Sequence, residues 1–98
     1  MKNISIQELL KLNLSNNLID IRDNYQFNLG NIPNSINIPY NFLIMNPENY
    51  LDKGKKYYLY CGYGSKSRVA CEKIVLKGYD VVNVLGGYND YLLLVHKK

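Results

Sequence analysis

The residues with the clearest capacity for chemistry lie where an apolar run, Lys56–Tyr60, meets Cys61. The cysteine is followed by a glycine-rich loop and by a helical pattern that we predict to begin near Lys66 or Ser67. The first amides of a helix have no partners within it, and the helix dipole is positive at that end. Both effects favour the thiolate, which is the nucleophilic form of cysteine. We therefore predict that Cys61 is a catalytic nucleophile.

The loop after the cysteine has the composition of an anion-binding loop. Gly62 and Gly64 can adopt positive φ at little cost, so the loop amides could turn inward as a nest. Lys66 and Arg68 add positive charge. A loop that stabilises a thiolate in this way would also bind a small anionic substrate. The predicted substrate-binding residues are Gly62, Tyr63, Gly64, Ser65, Lys66 and Ser67.

Two reactions fit a thiolate inside an anion-binding loop. The first is sulfur transfer, in which the thiolate takes a sulfane sulfur from an anionic donor such as thiosulfate or a persulfide. The second is phosphatase or arsenate reductase chemistry, which usually needs an arginine six positions after the cysteine to bind a tetrahedral oxyanion. Position 67 is Ser, while Lys66 comes one residue early and Arg68 one residue late. This spacing favours sulfur transfer and leaves the second reaction as an alternative.

Each candidate residue also has a purely structural interpretation. A cysteine at a strand end is often a small core residue, and Cys71 fits that role best, because it shares an apolar helix face with Ala70. A resolving cysteine is the alternative for Cys71. Asp20 and Arg22 follow a buried strand and could be a structural ion pair or could brace the catalytic loop. Arg68 could be a solvated charge or could attract an anion.

Helical and extended patterns alternate along the chain. A capping box, S-I-Q-E at residues 5–8, predicts a first helix. Strands are predicted at residues 18–21, at Lys56–Tyr60 and at 80–85, with a short extended piece at 35–38. Helices are predicted at Tyr40–Met45, between the cysteine loop and Gly78, and after Gly86-Gly87. This alternation predicts an α/β fold with a mainly parallel sheet, whose strand ends would bring residues 20–22, Cys61 and Gly86-Gly87 together.

Composition narrows the class of protein. The 98 residues suit one domain, and the net charge of +4 is scattered, so neither a nucleic-acid nor a membrane partner is predicted. Two cysteines and one histidine form no metal-ligand spacing, and we expect no metal and no cofactor. The first residues lack the apolar stretch of a signal peptide. A reducing cytoplasm is the predicted location.

Three segments together resemble the single-domain rhodanese family. Residues 61–67, C-G-Y-G-S-K-S, are similar to the family's active loop C-R-x-G-x-R-S. Residues 20–22, D-I-R, resemble D-V-R, and residues 30–35 with 38–39 resemble G-H-I-P-G-A and I-P. Residues 82–88 resemble the family's closing strand, which runs into Gly-Gly and an aromatic residue. The resemblance implies one rhodanese-like domain over 1–98, with a small, mainly parallel sheet flanked by helices on both faces.

The resemblance also implies roles for individual residues. Cys61 would carry a persulfide, the amides from Gly62 to Ser67 would cradle it, and Asp20 and Arg22 would brace the loop from the neighbouring strand end. The family's sulfurtransferases use a six-residue loop, which here runs from Cys61 to position 66, and its phosphatases use a loop one residue longer. The acceptor would be a thiol or a cyanide-like nucleophile, and a protein acceptor is also compatible with the resemblance.

Three departures from the family pattern concern the substrate more than the reaction. Gly62 stands where the family prefers arginine, Lys66 keeps the charge of the second arginine but loses its bidentate geometry, and Asn31 replaces a histidine. These changes favour a persulfide or a protein donor over thiosulfate. They also leave open a third hypothesis, a binding or regulatory module that keeps the fold with weak turnover.

Overall fold

Five parallel strands form one sheet in the computed structural model, which describes residues 1–96. Numbered along the chain, they are β1 (Lys2–Ile4), β2 (Leu18–Asp20), β3 (Ser35–Asn37), β4 (Lys56–Tyr60) and β5 (Asp80–Val84). Across the sheet the order is β1-β5-β4-β2-β3, and all neighbouring strands are parallel. Their carboxyl ends therefore meet at one edge of the sheet, where α/β proteins build their sites.

Helices cover both faces of this sheet. They are α1 (Ile6–Leu9), α2 (Asn24–Leu29), α3 (Tyr40–Met45), α4 (Ser65–Val75) and α5 (Gly87–Val95), with a 3-10 turn at Pro47–Asn49. One core cluster joins the sheet to α3 and α4, and a second joins it to α1 and α5. Because side chains alternate along a strand, Leu59 and Cys61 lie in the first cluster while Tyr60 lies in the second.

The α/β class, the mainly parallel sheet and the helices on both faces are confirmed. The strand Lys56–Tyr60 and the helix Tyr40–Met45 have the predicted bounds. The other three predicted extended segments each end one residue earlier, and α4 begins at Ser65 rather than near position 66 or 67. The prediction of one domain over 1–98 includes residues 97 and 98, which lie outside the described residues, and it stays a prediction. None of the described helices is long and apolar enough to cross a membrane.

Two elements were not predicted from the sequence. β1 is an edge strand with Lys2 and Asn3 exposed, so it lacks an apolar pattern and depends on its pairing with β5. α2 was missed because none of its residues is buried, so the segment carries no apolar helical face that a sequence pattern could reveal. A local signal for α2 did exist: the Asp23 side chain accepts a hydrogen bond from the amide of Gln26 at 2.8 Å, which is a helix N-cap.

Candidate active site

Cys61 follows β4 directly and stands at the edge where the strand ends meet. It is 5% exposed and belongs to the core cluster beneath α4. Three neighbours in sequence, Gly62 to Gly64, separate it from the first residue of α4. The loop is held from the other side by α5, because the amide of Tyr88 donates to the Cys61 carbonyl at 2.8 Å and the amide of Asn89 donates to the Gly62 carbonyl at 2.9 Å.

The sulfur of Cys61 lies within a set of hydrogen-bond donors. The amide of Gly64 donates to Sγ at 3.1 Å and the amide of Ser67 donates to it at 3.3 Å. The thiol in turn donates to the Ser67 hydroxyl oxygen at 3.4 Å. With α4 extending over eleven residues, the sulfur faces the positive end of a helix of about three turns. This arrangement stabilises negative charge on the sulfur.

The pKa of Cys61 reflects two opposing effects. Burial raises the pKa of the thiol, but the hydrogen bonds from Ser67, Gly64 and Tyr63 outweigh burial and leave the pKa below its ordinary value. A hydrogen bond to the charged form of a group stabilises that form relative to the neutral one. Cys61 is therefore more readily ionised than an ordinary thiol, although it is nearly inaccessible to bulk water.

Glycines allow this close packing at two positions. Gly64 has φ of 100°, and a Cβ there would lie 2.9 Å from the amide nitrogen of Gly86. A Cβ at Gly87, which also has positive φ, would collide with the carbonyl of Cys61. The expectation that Gly62 would use positive φ was wrong, since only Gly64 among the loop glycines does so. A Cβ at Gly62 would meet nothing within 4 Å.

The charged residues of the loop point to the surface. The Nζ of Lys66 lies 4.9 Å from the ring centroid of Tyr40, in α3, in cation–π geometry. Arg68 forms an i,i+4 ion pair with Glu72 at 3.6 Å, and both side chains are more than half exposed. Exposed pairs of this kind contribute little to stability. Negative charge on the sulfur is therefore stabilised by hydrogen bonds from the loop and the first turn of α4, whereas Lys66 and Arg68 are occupied with Tyr40 and Glu72.

Tyr63 and Ser65 are exposed, and Tyr63 lies at the rim of the loop. A surface cavity of about 170 Å³ opens beside Tyr63 and Gly62. Because the Gly62 position is open, an arginine there could extend toward this cavity without moving the backbone. The cavity is lined by Arg22, Gln26, Gly62, Tyr63, Tyr88, Asn89 and Leu92.

Asp20 and Arg22 form an ion pair that lies behind the loop. Asp20 is fully buried, and Nη2 of Arg22 lies 2.7 Å from its Oδ2. The guanidinium also donates to the Gly30 carbonyl at 2.6 Å and stacks on the ring of Tyr88, 4.2 Å from its centroid. Tyr88 is the residue whose amide binds the Cys61 carbonyl. The pair therefore reaches the loop through Tyr88, from the face of the sheet opposite the sulfur.

Sequence reasoning missed a buried polar contact next to the nucleophile. The hydroxyl of Ser67, which is fully buried, donates to Oδ1 of Asn83 at 2.5 Å. The Asn83 amide then donates to Oδ1 of Asn3 at 3.2 Å. An asparagine inside a buried, valine-rich strand was the available signal, because buried amides need partners.

Cys71 lies in the same core cluster as Cys61 but has no hydrogen-bond donors like those around Cys61. It is fully buried, as the structural interpretation predicted. Burial, and then the charges of Cys61 and Glu72, raise its pKa to about 12. Both cysteines are free thiols. Within residues 1–96 no group of three or more His, Cys, Asp or Glu side chains could hold a metal ion.

Comparison with known proteins gives consistent matches. Residues 5–93 match the family described as "Rhodanese-like domain". A Staphylococcus aureus crystal structure described as a rhodanese-like domain protein superposes with a TM-score of 0.83 and 32% identity, over 93% of this chain and 91% of that one. Among curated proteins, the adenylyltransferase and sulfurtransferase of Ogataea parapolymorpha is 33% identical over 76% of this chain and 19% of its own length.

An archaeal relative extends the same pattern. The tRNA sulfurtransferase of Thermoplasma acidophilum is 38% identical over 62% of this chain and 12% of its own length. The chain thus spans about a fifth or less of these two curated relatives. The structural match, in contrast, covers nearly all of both chains. These similarities support one shared domain and sulfur transfer as the class of activity.

Proposed function

The chain belongs to the rhodanese-like domain family, and we propose on that basis that it is a sulfurtransferase that carries sulfane sulfur as a persulfide on Cys61. The observation that best supports this proposal is the pair of amides, from Gly64 and Ser67, that donate to Sγ. Sulfurtransferase relatives, at 33% and 38% identity, support the same class of reaction.

The proposed reaction has two displacement steps. In the first, the Cys61 thiolate attacks the outer sulfur of thiosulfate or of an organic persulfide. The donor's sulfur–sulfur bond breaks, and sulfite or a thiolate leaves with the electron pair. In the second, an acceptor thiolate or a cyanide-like nucleophile attacks the outer sulfur of the Cys61 persulfide. The acceptor takes that sulfur, and the Cys61 thiolate is restored without any net change in the enzyme.

The loop residues have defined tasks in this scheme. The amides from Gly62 to Ser67 would hold the charge of the thiolate and of the outgoing persulfide, and Lys66 would attract the anionic donor. Arg68 would contribute to that long-range attraction. The Asp20–Arg22 pair would hold the loop by way of Tyr88. No step requires a metal or an organic cofactor.

The donor and the acceptor follow from what the loop lacks. Gly62 offers no guanidinium to a doubly charged donor, which favours a persulfide over thiosulfate. A protein thiol is included among the acceptors, because Tyr63 and the adjacent cavity leave the loop open on one side. We place this chemistry in the cytoplasm, where a reducing environment keeps Cys61 available.

The phosphatase alternative has weaker support from the same geometry. Such a reaction needs a guanidinium that binds two oxygens of a tetrahedral anion. Ser67 occupies the position where that arginine would stand and is fully buried. Arg68 lies over the outer surface of α4 and pairs with Glu72. The matched test is release of phosphate from an aryl phosphate, which we expect to be absent with the wild-type chain.

The decisive experiment is intact-mass measurement after incubation with sulfane donors. We expect one added sulfur per chain with at least one donor from a set that includes thiosulfate and a small organic persulfide. Cys61→Ser should take up no sulfur. Cys71→Ala is the matched control, because it removes the other thiol from the same core and should still form the persulfide. Transfer is then followed by adding cyanide or a thiol and observing the mass return to its original value.

The outcomes separate the hypotheses. Uptake that survives in Cys61→Ser, or no uptake with any donor, overturns the proposal. The absence of uptake together with iodoacetamide reactivity no faster than that of a free thiol supports the binding or regulatory module instead. Phosphate release that depends on Cys61 supports the phosphatase alternative.

A further inference from the structure

A line of hydrogen bonds leads from the candidate nucleophile across the sheet to the protein surface. It runs from the Cys61 thiol to the Ser67 hydroxyl, from that hydroxyl to Oδ1 of Asn83, and from the Asn83 amide nitrogen to Oδ1 of Asn3. Ser67 and Asn83 are buried, whereas Asn3 lies on the exposed edge strand β1. Asn83 and Asn3 are direct neighbours in the β1–β5 pairing.

With the Asn83 amide oriented as in this structure, counting protons gives the direction of each of these bonds. The carbonyl oxygen of the Asn83 amide can only accept, so its 2.5 Å contact with Ser67 must hold the single hydroxyl proton of Ser67. That proton cannot then be donated to the sulfur. The Ser67 oxygen instead accepts from the Cys61 thiol at 3.4 Å. The Ser67 hydroxyl therefore donates away from the sulfur, which suits the protonated thiol, while the amides of Gly64 and Ser67 still donate to Sγ.

The thiolate is stabilised by the opposite orientation of the Ser67 hydroxyl, with its proton directed at the sulfur. When Cys61 loses its proton to solvent, the hydroxyl oxygen of Ser67 would present lone pairs to a negative sulfur. Turning the hydroxyl toward the sulfur removes this repulsion, but it leaves two acceptors, Ser67 Oγ and Asn83 Oδ1, facing each other. A half-turn of the amide solves this problem, because its nitrogen can then donate to Ser67 while its oxygen accepts from the amide of Asn3. The exposed Asn3 is free to turn with it.

We propose that Asn83 is a positioning residue whose amide reverses when Cys61 loses its proton, so that the Ser67 hydroxyl can donate to the sulfur in the thiolate state. An amide suits this role because it has a donor and an acceptor of nearly equal size at the same site. The proposal deepens the proposed function, since it concerns the same sulfur. It would hold for any reaction of a Cys61 thiolate.

The ionisable groups near this line do not carry the same effect. Cys71 faces the same core from α4, but burial, with the charges of Cys61 and Glu72, raises its pKa to about 12, so it stays neutral near pH 7. The Lys66 ammonium lies over the ring of Tyr40 in α3, and Arg68 pairs with Glu72 on the exposed surface of α4. The ion pair at the end of β2 lies on the opposite face of the sheet. Asn83 therefore acts on the Cys61 sulfur through the orientation of its amide group, and not through a charge close to the sulfur.

The test is the pH dependence of iodoacetamide alkylation at Cys61, measured in the full chain. Asn83→Leu keeps a similar volume and removes both roles of the amide. If the Asn83 amide reverses as proposed, the pH midpoint of alkylation should rise in this variant by roughly half a unit or more. The thiolate state loses the amide that would donate to Ser67, whereas in the thiol state the Ser67 hydroxyl can still donate to the Gly64 carbonyl. A fixed acceptor predicts the opposite sign, since its removal would free the hydroxyl for the sulfur. A fall in the midpoint overturns the proposal.

A double variant shows whether Asn83 acts through Ser67. Ser67→Ala alone should raise the midpoint, and adding Asn83→Leu to it should produce no further shift. A second shift of full size overturns the proposal, because it would mean that Asn83 acts on the sulfur independently. Alkylation does not require a sulfur donor, so this result is separate from the success or failure of sulfur uptake.

Variants of the exposed Asn3 test the same proposal without changing a buried residue, so they remain informative if Asn83→Leu does not fold. Asn3→Asp places a carboxylate that can only accept, which holds the Asn83 amide in its outward orientation and opposes the reversal. We expect a higher midpoint that persists in high salt, where the added charge itself is screened. Asn3→Ala is the control and should shift the midpoint less. If Asn3→Asp behaves like Asn3→Ala, the proposal is overturned even if Asn83→Leu does not fold.

Discussion

The two cysteines of this chain share one core cluster but differ in the acidity of the thiol. Cys61 is 5% exposed and Cys71 is 0% exposed, so burial hardly distinguishes them. Burial raises the pKa of both thiols. At Cys71 nothing opposes it, and the pKa rises to about 12, whereas at Cys61 hydrogen bonds to the sulfur reverse the direction. The comparison shows that hydrogen bonds directed at a buried sulfur, from a hydroxyl and from amides, can make its thiol more acidic in spite of burial.

The largest expected effect comes from disturbing those amides. Gly64→Ala places a Cβ at φ of 100° and 2.9 Å from the Gly86 amide nitrogen, so the loop must shift. We expect alkylation of Cys61 at neutral pH to fall about tenfold for each unit by which its pKa rises. Gly62→Ala is the matched control, because a Cβ there meets nothing within 4 Å. Equal alkylation rates in the two variants would contradict the role of the Gly64 amide.

The two thiols should change the free energy of unfolding in opposite directions as the pH rises. The folded pKa of Cys71 is raised, so its contribution is fully present below the unfolded thiol pKa and is lost as pH rises toward about 12. The folded pKa of Cys61 is lowered, so its contribution is complete above the unfolded pKa and is lost as pH falls through the folded value. Between roughly pH 9 and 10, Cys71→Ala should therefore lose about 1 kcal/mol less unfolding free energy than wild type.

Urea denaturation at the two pH values measures this difference. Cys71→Ala is compared with wild type at each pH, so that any constant cost of the smaller side chain cancels. A decline with pH that is the same in both proteins would mean that Cys71 ionises as easily in the folded state as in the unfolded one.

A smaller effect is expected when a full charge is added beside the sulfur. Gly62→Arg can enter open space and would give an anionic donor the guanidinium that the loop lacks. We expect the rate of persulfide formation from thiosulfate to rise several-fold, as a charge-assisted hydrogen bond would produce. Intact mass at a series of times measures this rate. A rise of the same size with Gly62→Ala would assign the effect to the backbone instead.

The smallest effect is predicted for Lys66→Ala. The Lys66 ammonium lies over the ring of Tyr40 and is exposed, so solvent screens its field at the sulfur. We expect the alkylation rate at neutral pH to change by less than about twofold. A much larger fall would show that the charge of this side chain, and not the amides alone, distinguishes Cys61 from Cys71.

Much of the fold was readable from the sequence because its signals are local. The apolar run Lys56–Tyr60 and the alternation of helix and strand predicted the class and the order of elements. The strand ends then predicted which segments would meet. β1 escaped prediction because its stability comes from β5, eighty residues away in sequence register. The three residues of β1 are exposed or half-buried, so their sequence carries no pattern that indicates this distant pairing.

The site was readable only in part for a similar reason. Residue types predicted the nucleophile and the loop, and the resemblance indicated the ion pair Asp20–Arg22. The sequence could not show that this pair lies across the sheet from the sulfur, because that depends on the path of the chain after β2. Nor could it show that Ser67 contacts Asn83, since no spacing rule links a helix's first turn to one position of a later strand.

The contacts between α5 and the cysteine loop have a consequence for how the site assembles. The amides of Tyr88 and Asn89 donate to the carbonyls of Cys61 and Gly62, and the second of these peptide groups carries the Tyr63 amide, whose hydrogen bond lowers the pKa of Cys61. The orientation of the loop is thus imposed by the last helix of the fold. A chain in which α5 has not yet docked would lack these two contacts, and we expect its Cys61 thiol to be less acidic than in the folded protein. We therefore expect the Cys61 thiol to become reactive late in folding, after α5 has docked on the cysteine loop. The sulfur would then react only within the completed site.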